Sequence, residues 1–258
     1  MGSYRVFFAL LRRDLKLFWN RFFDELLNAA VIVSFQTLMF GYVVPLLGMP
    51  ISLITPLFLG SVTLIITSIG YALSLATVYD LHYNKLYTFN LILPISRFLF
   101  FAYYIVSLMW RMFFISAPFL LLGKILLGER LDLSNMNFLE FAAHYFLALL
   151  FSASFFVCFA LAAPFYWFIH NIWPRVLTPL QHLGCAFFPW LAAHAIFPRA
   201  SYILLFNPMT LLVEGLRTSV IQTGDYLPFL FCFLVLATFT MVNLVILNYF
   251  FKKRHDPV

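Results

Sequence analysis

The chain has 258 residues, of which 64% are hydrophobic and 10% are charged, and its formal net charge is +6. Soluble domains are about 45–50% apolar and about 25% charged, so this composition excludes an ordinary soluble domain and predicts an all-α integral membrane protein that forms one domain over residues 1–258. The basic balance comes with no basic stripe or soluble binding module, and we therefore assign it to membrane topology and exclude nucleic acid as a partner.

Residues 4–22 are predicted to form an amphipathic helix ahead of the first span. At about 100° per residue, its aromatic and leucine side chains share one broad face and its basic side chains gather on the opposite face. This pattern is typical of a helix that lies at the interface between lipid and water. A basic anchor with no specific role is the alternative.

Six transmembrane helices are predicted from apolar runs long enough to cross about 30 Å of hydrocarbon. They are Leu26–Leu47, Leu53–Val78, Phe98–Leu122, Phe141–Ile169, Val176–Phe197 and Leu227–Phe251. Residues 207–223 are apolar but too short and too interrupted to cross, and they are predicted to form a short re-entrant or interfacial helix before the last span.

The basic residues near the span ends predict that both termini are cytoplasmic, because Lys and Arg accumulate on that side of a membrane. In this orientation the inner segments hold Arg5, Arg12, Arg13, Lys16, Arg21, Lys85, Arg97, Arg175, Lys252, Lys253 and Arg254. The outer segments hold only Lys124, Arg130, Arg199 and Arg217.

The loop between the second and third predicted spans, residues 80–97, is semi-polar and cytoplasmic in this orientation. It begins at Asp80, carries Lys85 near its middle, and ends in Pro94-x-Ser96-Arg97. On its residues alone, it is also compatible with an ordinary connecting loop.

The run from Asn207 to Arg217 reads Asn-Pro-Met-Thr-Leu-Leu-Val-Glu-Gly-Leu-Arg. Asn-Pro is a turn followed by a proline suited to the first position of a helix. Glu214 and Arg217 then fall three residues apart on one helix face, where they can pair. The run therefore places a helix start and two opposite charges in an otherwise membrane-compatible segment.

This run resembles the Asn-Pro-x-Thr-x-x-x-Glu-x-x-Arg segment before the last transmembrane helix of the type-2 ATP-binding-cassette (ABC) exporter permeases. The matching positions are Asn207, Pro208, Thr210, Glu214 and Arg217. Members of the family also begin with an elbow helix on the cytoplasmic face, in the place that residues 4–22 occupy here. The resemblance thus extends over nearly the whole chain.

The end of the 80–97 loop is similar to the Pro-x-Ser-Arg that closes the coupling helix of this family, the element that docks on the ATPase subunit. The matching residues are Pro94, Ser96 and Arg97. Family members commonly carry a Glu and a Gly-Thr pair further upstream, whereas this chain has Asp80 and Lys85-Leu86 in roughly those places.

The resemblance implies the transmembrane subunit of an exporter in a prokaryotic plasma (inner) membrane. Its substrate would be amphipathic or hydrophobic: a lipid-linked glycan, a glycolipid or a drug. The chain has no Gly-x-x-x-x-Gly-Lys-Ser/Thr phosphate loop, so we expect no bound cofactor, and ATP and Mg²⁺ would belong to a separate cytoplasmic ABC ATPase present in two copies. The permease would form a homodimer or a heterodimer.

Arg111 lies well inside the third predicted span, near its middle. Because a charge in that position is costly, we expect its side chain to face the bundle interior and to find a partner. An ion pair with Glu140 or Glu214 is one interpretation, and direct contact with the substrate is the other.

Two other classes of function stay open on the sequence alone. One is a membrane-embedded, lipid-modifying enzyme that uses His144 or His194, although no nucleophile stands beside a base at a recognisable spacing. The other is an assembly factor that keeps the permease fold without transporting. No histidine or cysteine spacing is typical of a metal site, and we expect none.

Overall fold

A computed structural model of the chain describes residues 2–84, 90, 93–222 and 226–255, with side chains for all of these except 2, 84, 97 and 251–255. These residues form helices joined by turns and loops. In chain order the helices are α1 (Gly2–Trp19), α2 (Phe22–Leu46), α3 (Ile51–Tyr83), α4 (Phe98–Arg130), α5 (Phe138–Ala162), α6 (Tyr166–Ile172), α7 (Thr178–His182), α8 (Trp190–Ile196), α9 (Pro198–Leu204), α10 (Pro208–Ile221) and α11 (Phe229–His255).

Within the described residues, five helices are long and apolar enough to cross a membrane: α2, α3, α4, α5 and the Phe229–Phe250 part of α11. The all-helical class predicted from composition is therefore confirmed, and the apolar length of these helices supports an integral membrane protein. Helix α5 lies at the centre of the bundle, where it packs against α3, α4, α10 and α11.

Helices α2, α3 and α4 contain local irregularities. A π-helical turn interrupts α2 at Met39–Val43, and a second one, Asp80–Asn84, ends α3. Helix α4 has a break at Ala117, just before Pro118, which cannot donate a backbone hydrogen bond. At the turn in α2, Arg130 Nη1 donates to the Gly41 carbonyl at 2.7 Å, which ties α2 to the end of α4.

The predicted fifth span, Val176–Phe197, is not one helix in the structure. Helix α5 ends at Ala162, before Pro164, and not at Ile169 as predicted. The chain then forms α6, a π-helical turn at Trp173–Leu177 and α7, bends over residues 183–189, and resumes as α8. Cys185 has a φ of 58° inside this bend, a left-handed conformation that a continuous helix cannot contain.

The stretch from α6 to the bend nevertheless runs antiparallel to α3 along much of its length. The rings of Tyr79 and Tyr166 lie 5.5 Å apart near one end. Further along, Gln181 Nε2 donates to Thr67 Oγ1 at 2.7 Å. Near the other end, Gly60 of α3 faces the Ala186 carbonyl. The chain therefore passes along α3 in an interrupted helix.

Helix α1 packs lengthwise against the first half of α4, in the same direction. Ser3 Oγ donates to the Pro94 carbonyl at 3.3 Å, and the rings of Phe18 and Phe114 lie 6.3 Å apart. Tyr4 and Phe8 are exposed on the other side of α1. A helix is present over Gly2–Trp19, ending before the predicted end at residue 22, and its role as an interfacial elbow helix stays a prediction. We call the end of the bundle at which α1 and α4 begin the α1 end. We call the opposite end, at which α3 begins, the Arg217 end.

Candidate functional site

The start of α10 is fixed by the Asn-Pro pair of the signature run. The Asn207 side-chain oxygen accepts a hydrogen bond from the Met209 backbone N–H at 3.0 Å, and Pro208 occupies the first turn. Asn207 Nδ2 donates to the Leu180 carbonyl of α7 at 2.7 Å. Asn207 therefore caps α10 and holds it against α7 at the same time.

Glu214 and Arg217 form an ion pair inside the protein. Arg217 Nη1 lies 2.9 Å from Glu214 Oε1, and both side chains are 0% exposed. The three-residue spacing places the two groups on one face of α10, as the sequence indicates. Thr210 is also fully buried, one turn before Glu214. The signature run therefore points into the protein and not towards a surface.

The guanidinium of Arg217 also binds four backbone carbonyls. Its Nε donates to Pro56 of α3 at 3.0 Å. Its Nη1 and Nη2 donate to Cys185, Phe188 and Ala186 at 2.7, 3.0 and 2.9 Å respectively. A guanidinium has five N–H donors in a rigid fork, which suits it to such a set of acceptors. Arg217 thus joins α10, the start of α3 and the bend before α8.

The bend is what makes these carbonyls available. In a continuous helix the carbonyls of residues 185, 186 and 188 would accept intrahelical hydrogen bonds, whereas here these three accept from Arg217. The Trp190 N–H at the start of α8 donates to Glu214 Oε1 at 3.1 Å. Gly60 permits the close approach, since a Cβ there would lie 1.9 Å from the Ala186 oxygen. The sequence prediction missed Gly60 and the bend, for which Gly184 and Pro189 were the available signals.

His144 of α5 lies beside this network. Its ring is 0% exposed, and its Nε2 lies 3.2 Å from the Leu212 carbonyl. Gly215 leaves room for the ring, because a Cβ there would lie 2.1 Å from it. No group of three or more His, Cys, Asp or Glu side chains suited to a metal ion occurs among the described residues. These contacts hold α5 in close packing against α10.

The predicted coupling loop lies at the α1 end. Asp80 begins the π-helical turn that ends α3, while Lys85 falls outside the described residues. Pro94 is exposed. Ser96 caps α4, where its hydroxyl accepts from the Leu99 N–H at 3.4 Å, and Arg97 lies between this cap and Phe98 at the start of α4. The two predicted sites are therefore at opposite ends of the bundle, connected by α3.

A cavity of about 610 Å³ opens beside this loop, between α1, α2, α3 and α4. Its charged lining consists of three arginines and three carboxylates: Arg13, Arg21, Arg111, Asp14, Glu25 and Asp80. Uncharged polar groups of Asn20, Thr77, Asn90, Tyr103, Tyr104 and Ser107 also line it. The sequence prediction had identified only Asp80 and Arg111 of this set. No sequence motif marks the other residues, which come from separate segments.

Asp14 holds α1 against α4 through several side-chain contacts. It accepts from the hydroxyls of Tyr103 and of Ser107, the latter at 3.1 Å, and pairs with Arg13 at 3.2 Å. Arg13 Nη1 also donates to Asn90 Oδ1 at 3.3 Å. Partial burial alone would lower the pKa of Arg13, but its neighbours Tyr103 and Asp14 raise it further, so its charge is retained.

Arg111 is placed differently from the sequence prediction. Glu214 is paired with Arg217, and no ion pair of Arg111 with Glu140 is present among the described residues. Glu25 of α2 lines the same cavity, where its carboxylate is subject to the positive charges of Arg111 and Arg21. Arg111 Nε is buried, and it has no hydrogen-bond partner in the described part of the chain.

The chain was compared with protein-family models, with curated proteins and with solved structures, and none of them matches.

Proposed function

We propose that the chain is the transmembrane permease subunit of a type-2 ABC exporter. The observation that carries this proposal is the Glu214–Arg217 network: the residues of the signature run are those that hold α10 against α3 and the bend. A run that merely resembled the family signature by chance would not be expected to supply the cap, the buried ion pair and the joint together.

The positions of the other elements support the same proposal. The described parts of the 80–97 loop lie at the same end of the bundle as the start of α1, where a coupling loop and an elbow helix belong in such a permease. If the interrupted segment from α6 to the bend counts as a crossing, the chain has six, and both termini lie on one side. The excess of basic residues at the α1 end makes that side cytoplasmic by the positive-inside rule.

In the proposed mechanism, helix α3 connects the coupling loop to the Arg217 network. It reaches from Asp80 in the loop region to the Pro56 carbonyl that Arg217 binds. An ATPase that moves the loop would displace a helix whose far end is fastened to α10 and to the bend. Nucleotide would then bias a two-state arrangement of the Arg217 end. Two ATPase copies and two permease copies would enclose the path for a lipid-linked glycan, a glycolipid or a drug.

The test is a native pull-down of the tagged chain from its own membranes in mild detergent. We expect a soluble partner of about 25–35 kDa, the size of one domain, together with vanadate-sensitive ATPase activity. A chain that purifies with no nucleotide-hydrolysing partner would contradict the proposal.

A matched pair of variants locates the docking site. Pro94→Asp with Arg97→Glu alters the exposed end of the loop, and we expect it to abolish co-purification of the ATPase. Ser134→Asp places a charge on another exposed loop, between α4 and α5, and should leave co-purification unchanged. Equal loss in both would indicate general damage and would remove the support for docking at 80–97.

A further inference from the structure

The polar cavity at the α1 end has a charge pattern that selects for a particular ligand. It holds three arginines and three carboxylates, so its formal charge is balanced. Arg13 and Asp14 already pair with one another at 3.2 Å. The remaining charges are of both signs and come from the start of α2, from α3 and from α4. A balanced cavity of this kind favours a ligand that itself carries both charges.

Arg111 and Arg21 are the groups suited to an anion. Arg111 Nε is buried without a hydrogen-bond partner among the described residues, and a buried donor left unpaired is costly. Arg21 is exposed at the mouth of the cavity, and the described residues offer its guanidinium no hydrogen bond. A phosphate group accepts from guanidinium N–H groups in paired geometry. The two arginines therefore provide a phosphate subsite.

Glu25 limits which phosphate compounds fit. Its carboxylate interacts with Arg111 and Arg21, so a bare anion bound to these arginines would meet a negative charge close by. A ligand that also presents an ammonium group to Glu25 replaces that repulsion with attraction. An ammonium with N–H groups can in addition donate to the carboxylate.

The position of the cavity indicates that this ligand is a lipid. The cavity lies where α1 meets α2, at the point where the apolar window of α2 begins with Phe22. Leu17 at its rim is 56% exposed and apolar. The cavity thus lies at the depth where polar headgroups give way to acyl chains, as at the interface of a bilayer.

We propose that this cavity binds the headgroup of a phospholipid that carries a phosphate and a primary ammonium, as in phosphatidylethanolamine. Arg111 and Arg21 bind the phosphate, Glu25 binds the ammonium, and the acyl chains leave the cavity at the rim formed by Leu17. The site is separate from the Arg217 network and does not depend on the chain being a permease.

Native mass spectrometry of the purified full-length chain tests this. The chain is titrated in mild detergent with phosphatidylethanolamine, phosphatidylcholine and phosphatidylglycerol that have identical acyl chains. One phosphatidylethanolamine should be retained at about a tenfold lower concentration than the other two, which corresponds to one charge-assisted hydrogen bond. Equal retention of phosphatidylglycerol or phosphatidylcholine would overturn the assignment.

Variants separate the two subsites. Arg111→Gln should weaken retention of phosphatidylethanolamine about tenfold, while Glu25→Gln should remove the preference for it over phosphatidylcholine. Arg130→Gln is the control, since Arg130 binds the Gly41 carbonyl at the other end of the bundle, and it should retain the lipid normally. Retention unchanged in Arg111→Gln would refute the phosphate subsite. If that variant does not fold, Arg21→Gln at the exposed mouth replaces it with the same expectation.

Soluble glycerophosphoethanolamine distinguishes a lipid from a free headgroup. We expect it to compete only weakly, because it lacks the acyl chains. Competition as strong as that of the intact phospholipid would show that the cavity takes a soluble phosphate compound, and would overturn the lipid assignment. None of these measurements requires an ATPase, so their failure is distinguishable from a failure of the proposed transport function.

Discussion

Arg217 donates to four backbone carbonyls and one carboxylate and is fully buried, whereas Arg111, also within an apolar helix, lines a cavity and leaves its Nε unpaired among the described residues. Hydropathy alone does not distinguish the two, because each interrupts a membrane-compatible run. The difference lies in the surrounding backbone. A bend supplies carbonyls to Arg217, while no backbone carbonyl of the described residues accepts from Arg111 Nε.

This comparison separates a structural arginine from one that is available to a ligand. An arginine whose donors are all taken by the protein stabilises the fold and has nothing left to bind a ligand. One whose guanidinium lines a cavity, as that of Arg111 does, can bind an anion at little cost to the fold. Substitutions at the two positions should therefore differ in kind: loss of stability at Arg217 and loss of binding at Arg111.

The largest effect on stability is expected for Arg217→Met. It leaves Glu214 as an unpaired buried carboxylate, and breaking a buried pair in this way costs about 3–5 kcal/mol. Equilibrium unfolding in mixed micelles of mild detergent and SDS measures the loss. Arg217→Lys keeps the charge but has three donors in place of five. Its free energy of unfolding should therefore lie between that of the unsubstituted chain and that of Arg217→Met. Unfolding unchanged in Arg217→Met would contradict the structural role.

Gly60→Ala should have the next largest effect. The added Cβ would lie 1.9 Å from the Ala186 oxygen, a backbone atom, and 3.1 Å from Arg217 Nη2. Overpacking of this kind costs about 1–3 kcal/mol, and it should push the bend away from the guanidinium. The same unfolding measurement applies, with Ala72→Ser at an exposed position of α3 as the control. If Gly60→Ala lowered the free energy of unfolding no more than the control does, α3 and the bend would not be in close contact at Gly60.

Asn207→Ala should destabilise the chain by about 1 kcal/mol, the usual cost of losing an N-cap. The hydrogen bond to the Leu180 carbonyl is lost as well, so α10 should become more mobile at its start. Amide hydrogen exchange at Met209 and Thr210 reports this directly. Asn207→Asp retains the cap oxygen but not the donor, and it should protect these amides better than alanine does.

Arg111→Gln should change the free energy of unfolding by less than about 1 kcal/mol, because no ion pair of this side chain is lost among the described residues. Its expected loss is in retention of phosphatidylethanolamine. Unfolding in SDS-containing micelles, run beside Arg217→Met, provides the contrast. If both variants lost stability equally, the distinction between the two arginines would be wrong.

The sequence predicts α10 well because its signals are local. Asn207 and Pro208 mark the start of the helix, and the spacing of Glu214 and Arg217 places them on one face. The apolar runs likewise locate α2, α3, α4, α5 and α11. In each case the feature depends on residues within a few turns of one another, which is the range over which sequence patterns act.

The sequence does not predict features that depend on distant segments. The stretch Val176–Phe197 is apolar enough for a span, but it contains a bend that contacts distant residues. The Arg217 guanidinium binds the carbonyls of this bend, and Glu214 binds the N–H of Trp190. Gly60 leaves room for the bend to approach α3. The predicted third span ends at Leu122, whereas α4 continues to Arg130 and is accompanied by α1 along its first half. The partners of Arg111 come from other helices, so its own surroundings in sequence do not reveal them.

The packing of α1 against α4 has a consequence for biosynthesis. Asp14 and Arg13 bind Tyr103, Ser107 and Asn90, which follow them in the chain by 77 to 93 residues. While the ribosome makes α2 and α3, these partners do not yet exist, and the apolar face of α1 has only lipid or chaperones to cover it. Helix α1 precedes α2 and α3 in the chain but reaches its final contacts later, because it docks only after the hairpin of α2 and α3 has been completed.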